Sequence, residues 1–260
     1  MSVTIPIIGD SRSESAASAW RAFDCIYCIT LADRIDRRRQ AEAEFGRVGL
    51  AGKVQFHVAQ RHPTCSERGI FESHIACLRA GLAAGGAGGS RIVVFEDDII
   101  FRRFSTRKLE RAVDFLEACD DWRLLFFGCF AFSSRPTRFD SVLKIKYRCT
   151  AHGYVVSRAA AEELIATPWT GVPYDMVLRD VARDRAFAIY PAFAYQSGAS
   201  TDNRNLLRLD RRRRLIGGMQ RLQRWNEFSS RRIVPLVVIH VVIALLLVLL
   251  LLWHYGALGR

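Results

Sequence analysis

The feature that most constrains the fold is the alternation along the chain of short apolar runs with longer amphipathic stretches. The runs FDCIYCITL at 23–31 and RIVVF at 91–95 are bounded by polar sequence, as expected of strands buried on both faces of a sheet. Apolar residues three to four apart over 33–48 and 69–84 predict intervening helices. The alternation predicts an α/β fold with a mixed, mainly parallel sheet flanked by helices, with ligands at the carboxyl ends of the strands.

A second constraint is the uncharged run from Ile233 to Trp253. As a helix with ~1.5 Å rise per residue it would extend ~31 Å, about the thickness of a bilayer core. A buried core helix rarely stays apolar on every face over that length. We therefore expect one C-terminal transmembrane helix over 233–253. No secretory signal pattern opens the chain, so we expect a single-pass protein with its main domain on the cytoplasmic face, in a bacterial inner membrane.

Basic residues are concentrated just before that run. The formal net charge is +12, and the segment 204–232 carries only two acids, Asp210 and Glu227. No zinc finger or RRM accompanies the segment, so nucleic acid is not an expected partner. Arginines beside a membrane helix favour the cytoplasmic side and bind anionic lipids. The arginines of the segment are Arg204, Arg208, Arg211, Arg212, Arg213, Arg214, Arg221, Arg224, Arg231 and Arg232.

The predicted organisation has one catalytic-sized domain between two less regular ends. A Ser/Ala-rich leader over 1–20 lacks periodicity. The folded domain is predicted over 21–203 and the basic segment over 204–232, followed by the apolar helix and a short tail over 254–260. The chain has seven cysteines, an odd number at irregular spacing, so we expect free thiols. The CxxC of Cys25 and Cys28 lies in an apolar run, which favours core packing over metal or redox chemistry.

Three consecutive acids, Glu96, Asp97 and Asp98, end the most β-like run of the chain. Grouped carboxylates repel one another unless a cation joins them, and Mg²⁺ or Mn²⁺ is the natural partner for oxygen ligands. Such an ion typically takes one or two protein carboxylates and completes its shell with diphosphate and water. A solvated acidic turn is the alternative interpretation.

Short motifs accompany this cluster in a fixed order within residues 23–202. They are Ile29-Thr30-Leu31 with Asp36-Arg37-Arg38, Ser66 to His74, Phe95 to Phe101, Leu124 to Gly128, Thr150 to Ser157, Pro173-Tyr174-Asp175, and Tyr190-Pro191 with Gln196. In that order they resemble glycosyltransferase family 25, the lipopolysaccharide and procollagen galactosyltransferase type, which has a GT-A (Rossmann-like) fold. The resemblance implies transfer of a hexose, galactose-like, from a UDP-sugar to a glycan or glycolipid acceptor such as lipopolysaccharide.

The resemblance also implies roles for individual residues. Asp98, with Asp97, would ligate the metal, and an inverting reaction needs a general base, for which Asp175 is the candidate and Asp180 its rival. Thr30 stands where the family usually has Asn, and the segment at 66–74 lacks the first Gly and the Cys of the family's GEIGCALSH. The predicted donor-binding residues are Thr30, Arg34, Asp36, Arg37, Glu67, His74, Glu96 and Gln196.

Two other functions remain open at this stage. One is a catalytically inactive, membrane-anchored binding module with a transferase-like fold. The other is a metal-dependent phosphoesterase that uses the same acids, although such sites usually gather several His and Asp ligands. The histidines of the predicted domain, His57, His62, His74 and His152, are dispersed along the sequence.

Overall fold

The computed structural model describes residues 17–85, 91–198, 213, 215 and 217–258. After a 3₁₀ turn at Trp20–Ala22, the described helices are α1 (Ile35–Arg47), α2 (Ser66–Ala84), α3 (Thr106–Ala118), α4 (Arg158–Ala166), α5 (Tyr174–Ala182), α6 (Gly218–Ser230) and α7 (Ile233–Leu258). The strands are β1 (Cys25–Leu31), β2 (Gln55–Ala59), β3 (Arg91–Glu96), β4 (Ile99–Phe101), β5 (Leu124–Phe126), β6 (Phe130–Pro136), β7 (Val142–Cys149), β8 (Gly153–Ser157), β9 (Ala186–Ile189) and β10 (Ala194–Gln196).

The main sheet is mixed, and most of its pairings are antiparallel. Its strand order is β2-β1-β3-β8-β5-β9-β7-β6, and β10 pairs with β4 in a separate two-stranded sheet. Three of its pairings are parallel (β1·β2, β1·β3, β5·β9) and four are antiparallel (β3·β8, β5·β8, β7·β9, β6·β7). The predicted mainly parallel, GT-A-like sheet is therefore wrong. An apolar run shows that a strand is buried on both faces, but it does not encode the strand's direction.

Alternate residues of the central strands enter two cores, one on each face of the sheet. Val94 belongs to a core that also contains Leu78 of α2, and α4 and α5 pack on the same face. Val93 belongs to the opposite core, which contains Phe45 of α1 and Leu116 of α3. Helices thus cover both faces, and the polar ends of the strands remain for a site.

Helix α6 is fastened to the sheet by side-chain amides. Asn226 accepts a hydrogen bond from Ala131 N at 2.7 Å and donates one to Ala131 O at 2.9 Å, which mimics a neighbouring strand on β6. Gln223 Nε2 donates to Ala194 O at 2.9 Å. Gly128 lies against this junction, where an added Cβ would meet Ala194 O at 1.9 Å. The junction therefore requires glycine at this position.

The apolar run near the end of the chain is helical, as predicted, in α7 (Ile233–Leu258). Among residues that the structure describes, however, no helix is both long enough and apolar enough to cross a bilayer. The structure therefore does not support the predicted transmembrane helix over 233–253 or the single-pass location on the cytoplasmic face, and both expectations are corrected.

Parts of four predicted segments lie outside the described residues. These are most of the leader (1–16), two stretches of the folded domain (86–90 and 199–203), much of the basic segment and the end of the tail (259–260). The arginines outside the described residues are Arg204, Arg208, Arg211, Arg212 and Arg214.

Candidate active site

The acidic cluster lies where β3 ends and the chain turns into β4. Because β1 and β3 run parallel, their carboxyl ends meet at the same edge of the sheet. Two backbone hydrogen bonds fix the turn: Glu96 N donates to His152 O at 3.2 Å, and Asp97 N donates to Ile29 O at 3.0 Å. The turn separates β3 from β4 at the acids themselves, which places their side chains at the end of the sheet.

Asp97 is buried and held on both carboxylate oxygens. Thr30 Oγ1 donates to Oδ2 at 2.7 Å, and Arg37 Nη1 lies 3.2 Å from Oδ1. All three side chains are less than one-tenth exposed. A buried carboxylate requires such partners, since an uncompensated charge in the interior costs several kcal/mol. The turn is therefore supported by a buried, hydrogen-bonded group of three side chains, those of Asp97, Thr30 and Arg37.

Asp98 occupies the opposite side of the turn. Gln196 at the end of β10 points its Nε2 at Asp98 Oδ2 over 3.5 Å, and Ser197 N donates to Asp98 O at 2.7 Å. The pairing of β4 with β10 brings these residues together, with Gln196 opposite Ile99. The structure thus brings Gln196 close to the acidic cluster, while its predicted role in donor binding stays a prediction.

Glu96 lies between the turn and a buried histidine. Its Oε1 is 3.4 Å from His74 Nε2, and its side chain is 28% exposed. Burial, followed by repulsion from Asp175 and Asp97, raises the pKa of Glu96 to about 8, although Arg37 opposes the shift. Glu96 is therefore protonated at neutral pH in the free protein, so one acid of the cluster can donate a hydrogen bond.

His74 on α2 is the centre of a buried hydrogen-bonded chain. Its Nδ1 lies 3.0 Å from the hydroxyl of Tyr154 on β8, which is 2.7 Å from the hydroxyl of Tyr174 on α5. The imidazole stacks on the Tyr174 ring with centroids 4.0 Å apart. Burial lowers the pKa of His74 to about 3, so the ring is neutral at physiological pH. The chain ties α2, β8 and α5 together beneath Glu96.

Asp175 stands in the first turn of α5 and is half-buried. The hydroxyl of Tyr147 on β7 donates to its Oδ1 at 2.7 Å. Burial raises the pKa of Asp175, while the hydrogen bond from Tyr147 and the backbone N–H of Thr150 lower it. The charge of Asp175 in turn raises the pKa of Glu96, so the two carboxyl groups lie within electrostatic reach of each other.

The remaining predicted residues lie at the beginnings of α1 and α2 and on α5. Arg34 forms a two-point ion pair with Asp36, with N–O distances of 3.0 and 2.9 Å, and this pairing lowers the pKa of Asp36 to about 2. The Asp36 side chain is 67% exposed, so it faces solvent. Glu67 lies in the first turn of α2, and its charge raises the pKa of Asp175. Asp180 is also exposed, five residues after Asp175 and hence on another face of α5.

The residues at the turn fit a divalent cation only in part. Both oxygens of Asp97 are already hydrogen bonded, so Asp98 is the better candidate ligand. Within the described part of the chain, no group of three or more His, Cys, Asp or Glu side chains is arranged to hold a metal. One carboxylate suffices when phosphate and water complete the coordination shell, as Mg²⁺ often requires.

Sequence reasoning missed three tyrosines of the site. Tyr147, Tyr154 and Tyr174 supply the hydroxyl groups that position Asp175 and His74. Tyr154 and Tyr174 fall inside recognised motifs but were given no role. Their meeting depends on β8 lying between β3 and β5, which the one-dimensional pattern does not contain.

Comparison with known proteins gives little further guidance. No family model and no curated protein matches the chain. A solved structure of A197 from STIV is similar over 66% of this chain and 85% of that one, with 12% identity and a TM-score of 0.44. A nucleoside-diphosphate-sugar pyrophosphorylase from Vibrio cholerae RC9 is similar over 76% of this chain and 86% of that one, with 14% identity and a TM-score of 0.37. At these values neither likeness carries an argument about function.

Proposed function

We propose that this chain is a metal-dependent glycosyltransferase, of the family 25 type, that moves a hexose from a UDP-sugar to a glycan or glycolipid acceptor such as lipopolysaccharide. The observation that carries the proposal is the set of carboxyl groups at the end of β3, where Asp98 faces Gln196 and Glu96 lies within electrostatic reach of Asp175. Glu96, Asp98 and Gln196 belong to sequence motifs that resemble the family, which supports the proposal.

The carboxyl groups divide into three roles. Asp97 is the positioning residue, because its oxygens are fixed by Thr30 and Arg37. Asp98 is the candidate ligand for Mn²⁺ or Mg²⁺, which when bound neutralises the diphosphate leaving group. Glu96 is protonated in the free protein and is placed to donate a hydrogen bond to a sugar or ribose oxygen.

Asp175 is the proposed general base that takes the proton of the acceptor hydroxyl. A carboxylate with a raised pKa is a stronger base than an ordinary aspartate, and Tyr147 holds it in one orientation. Asp180 is exposed on another face of the same helix, which favours Asp175.

The presence of a single candidate carboxylate ligand, Asp98, predicts how the metal ion and the donor depend on each other for binding. Because the donor must complete the coordination shell, Mn²⁺ and the UDP-sugar should bind together far better than either binds alone. The test is thermal unfolding of the full chain with a panel of UDP-sugars, each with and without Mn²⁺. A mild detergent is needed, since the apolar side chains of α7 are exposed.

The expected result is stabilisation by one UDP-sugar with Mn²⁺ and little by Mn²⁺ alone. Asp98→Asn should abolish the joint effect, whereas Asp180→Asn is the matched control on an exposed surface and should keep it. Absence of stabilisation by every UDP-sugar, with and without metal, would overturn the proposal.

A further inference from the structure

The surface next to Asp175 carries an exposed phenylalanine ring, and the guanidinium groups of two arginines lie close to that ring. Phe132 is 44% exposed on β6. The guanidinium carbons of Arg148 and Arg179 lie 5.5 and 5.4 Å from the centre of its ring. A large apolar side chain at the surface is unremarkable alone, but two cations beside it form a defined binding feature.

A bulge in the backbone of β6 turns the Phe132 ring toward solvent. The register of β6 on β7 shifts between Ala131 and Ser133, so Phe132 is the extra residue of a bulge and has no partner across the ladder. Bulges re-aim a side chain and occur often beside active sites. Arg179 Nη2 donates to Arg148 O at 2.6 Å, which holds the two arginine segments together.

The feature and the proposed base share the same two elements. Arg179 follows Asp175 by one turn of α5, so both side chains lie on one face of the helix. Arg148 directly follows Tyr147, whose hydroxyl binds Asp175. Burial raises the pKa of the Cys149 thiol to about 11, and Asp175 opposes the lowering effects of Arg148, Arg213 and Arg179 on the same thiol. The Cys149 thiol therefore lies within electrostatic range of Asp175 and of all three arginines.

Both guanidinium groups lack a neutralising carboxylate among the described residues. Across the ranges that the structure describes, neither Arg148 nor Arg179 has a carboxylate within ion-pair distance. The buried Nε of Arg179 also finds no hydrogen-bond acceptor among these residues. Two like charges beside one ring repel each other, and an anion between them would remove that repulsion.

We propose that Phe132, Arg148 and Arg179 form an acceptor-binding platform, on which a sugar ring of the acceptor stacks while its carboxylate or phosphate group pairs with the two arginines. This inference rests on the proposed function, because it identifies the anionic sugar as the acceptor whose hydroxyl group Asp175 would deprotonate. The arginine fork binds carboxylate and phosphate groups alike, so the shared chemistry is an anionic sugar.

The experiment titrates three sugars into the full chain and follows binding by saturation-transfer NMR. The probes are methyl galactoside, which is neutral, galacturonic acid, which carries a carboxylate, and galactose 6-phosphate. The platform predicts that at least one anionic sugar binds more tightly than the neutral one and that added salt weakens only anionic binding. Whichever of the two anionic sugars binds more tightly identifies the anionic group as a carboxylate or a phosphate.

Variants then locate the binding. Arg148→Gln and Arg179→Gln should each weaken binding of the anionic sugar roughly tenfold or more, as expected for loss of a charge-assisted hydrogen bond. Arg138→Gln is the matched control, because its guanidinium also lies over an aromatic ring, that of Phe139 at 5.1 Å, and it should leave binding unchanged. Equal affinity for all three sugars in the wild type, or unchanged anionic affinity in folded Arg148→Gln and Arg179→Gln, would overturn the platform.

UDP-sugar binding measured on the same samples separates this inference from the proposed function. If no UDP-sugar binds but the arginine-dependent binding of anionic sugars is seen, the site exists and the transferase proposal is wrong. If a UDP-sugar binds and the anionic preference is absent, the platform is wrong and the transferase proposal stands. The salt dependence in the wild type requires no variant to fold.

Discussion

Acid should destabilise this protein through His152, a buried histidine that cannot take up a proton in the folded state. His152 is fully buried, and its Nε2 lies 3.2 Å from Ala194 O. Burial lowers the pKa of His152 from its ordinary 6.5 to about 4. The imidazole of His152 is therefore protonated below about pH 6.5 in the unfolded chain, but only below about pH 4 in the folded chain. The stability linked to His152 is complete above pH 6.5 and is lost as the pH falls toward 4.

The magnitude follows from the two pKa values. Between pH 7 and pH 5 the unfolded state gains about 2 kcal/mol from protonating this one group, because the slope approaches ~1.4 kcal/mol per pH unit. His152→Gln keeps an amide donor near Ala194 O but cannot titrate. The variant should be less stable than the wild type at pH 7, and the gap should shrink by about 2 kcal/mol at pH 5.

The assay is urea unfolding of the wild type and of His152→Gln at pH 5, 6, 7 and 8. The comparison between the two proteins is essential, since Glu96 has a raised pKa and its uptake of a proton opposes the effect of His152 in the wild type. The gap should be constant from pH 7 to pH 8, which serves as an internal control. A gap that is the same at pH 5 and pH 7 would refute the assignment of a neutral, buried imidazole.

Two further substitutions test the packing and the site. Gly128→Ala should lower the free energy of unfolding by roughly 3 kcal/mol in urea denaturation, because the new Cβ would lie 1.9 Å from Ala194 O. Gly46→Ala meets nothing within 4 Å on α1 and should instead stabilise by roughly 0.5–1 kcal/mol; equal effects would contradict the packing described. Tyr147→Phe removes a hydrogen bond that lowers the pKa of Asp175, so the fall in sugar transfer toward acid pH should begin at a higher pH in the variant than in the wild type. A loss of the same size at every pH would show that Tyr147 does not act through this carboxylate.

The sequence pattern predicted where most elements lie, because burial alternates locally. The apolar run at 23–31 contains β1 (Cys25–Leu31), and the helix predicted over 69–84 lies within α2 (Ser66–Ala84). The strand β6 was missed, since Ser133 to Asp140 reads as turn-rich sequence. In the structure β6 forms the edge of the sheet beside β7. An edge strand with polar residues on its open side has no distinctive apolar pattern.

The site was predictable only where residues are adjacent in sequence or carried by a motif. Gln196 lies close to Asp98 at the end of β3, but the pattern could not show which of the three acids is most buried. The burial of Asp97 depends on Arg37 reaching it from α1. The pairing of Tyr147 with Asp175 depends on the order of the sheet, which no local pattern encodes.

Release of UDP from a UDP-sugar tests the central claim most directly. The full chain is incubated with the sugar that stabilises it, with Mn²⁺, and with and without a mixture of lipopolysaccharide core glycans, while free UDP and the glycan mass are followed. The account predicts Mn²⁺-dependent UDP release, a glycan heavier by one hexose, and a rate on the order of 100-fold or more lower in Asp98→Asn. UDP release that is unaffected by Mn²⁺ and by Asp98→Asn would contradict it.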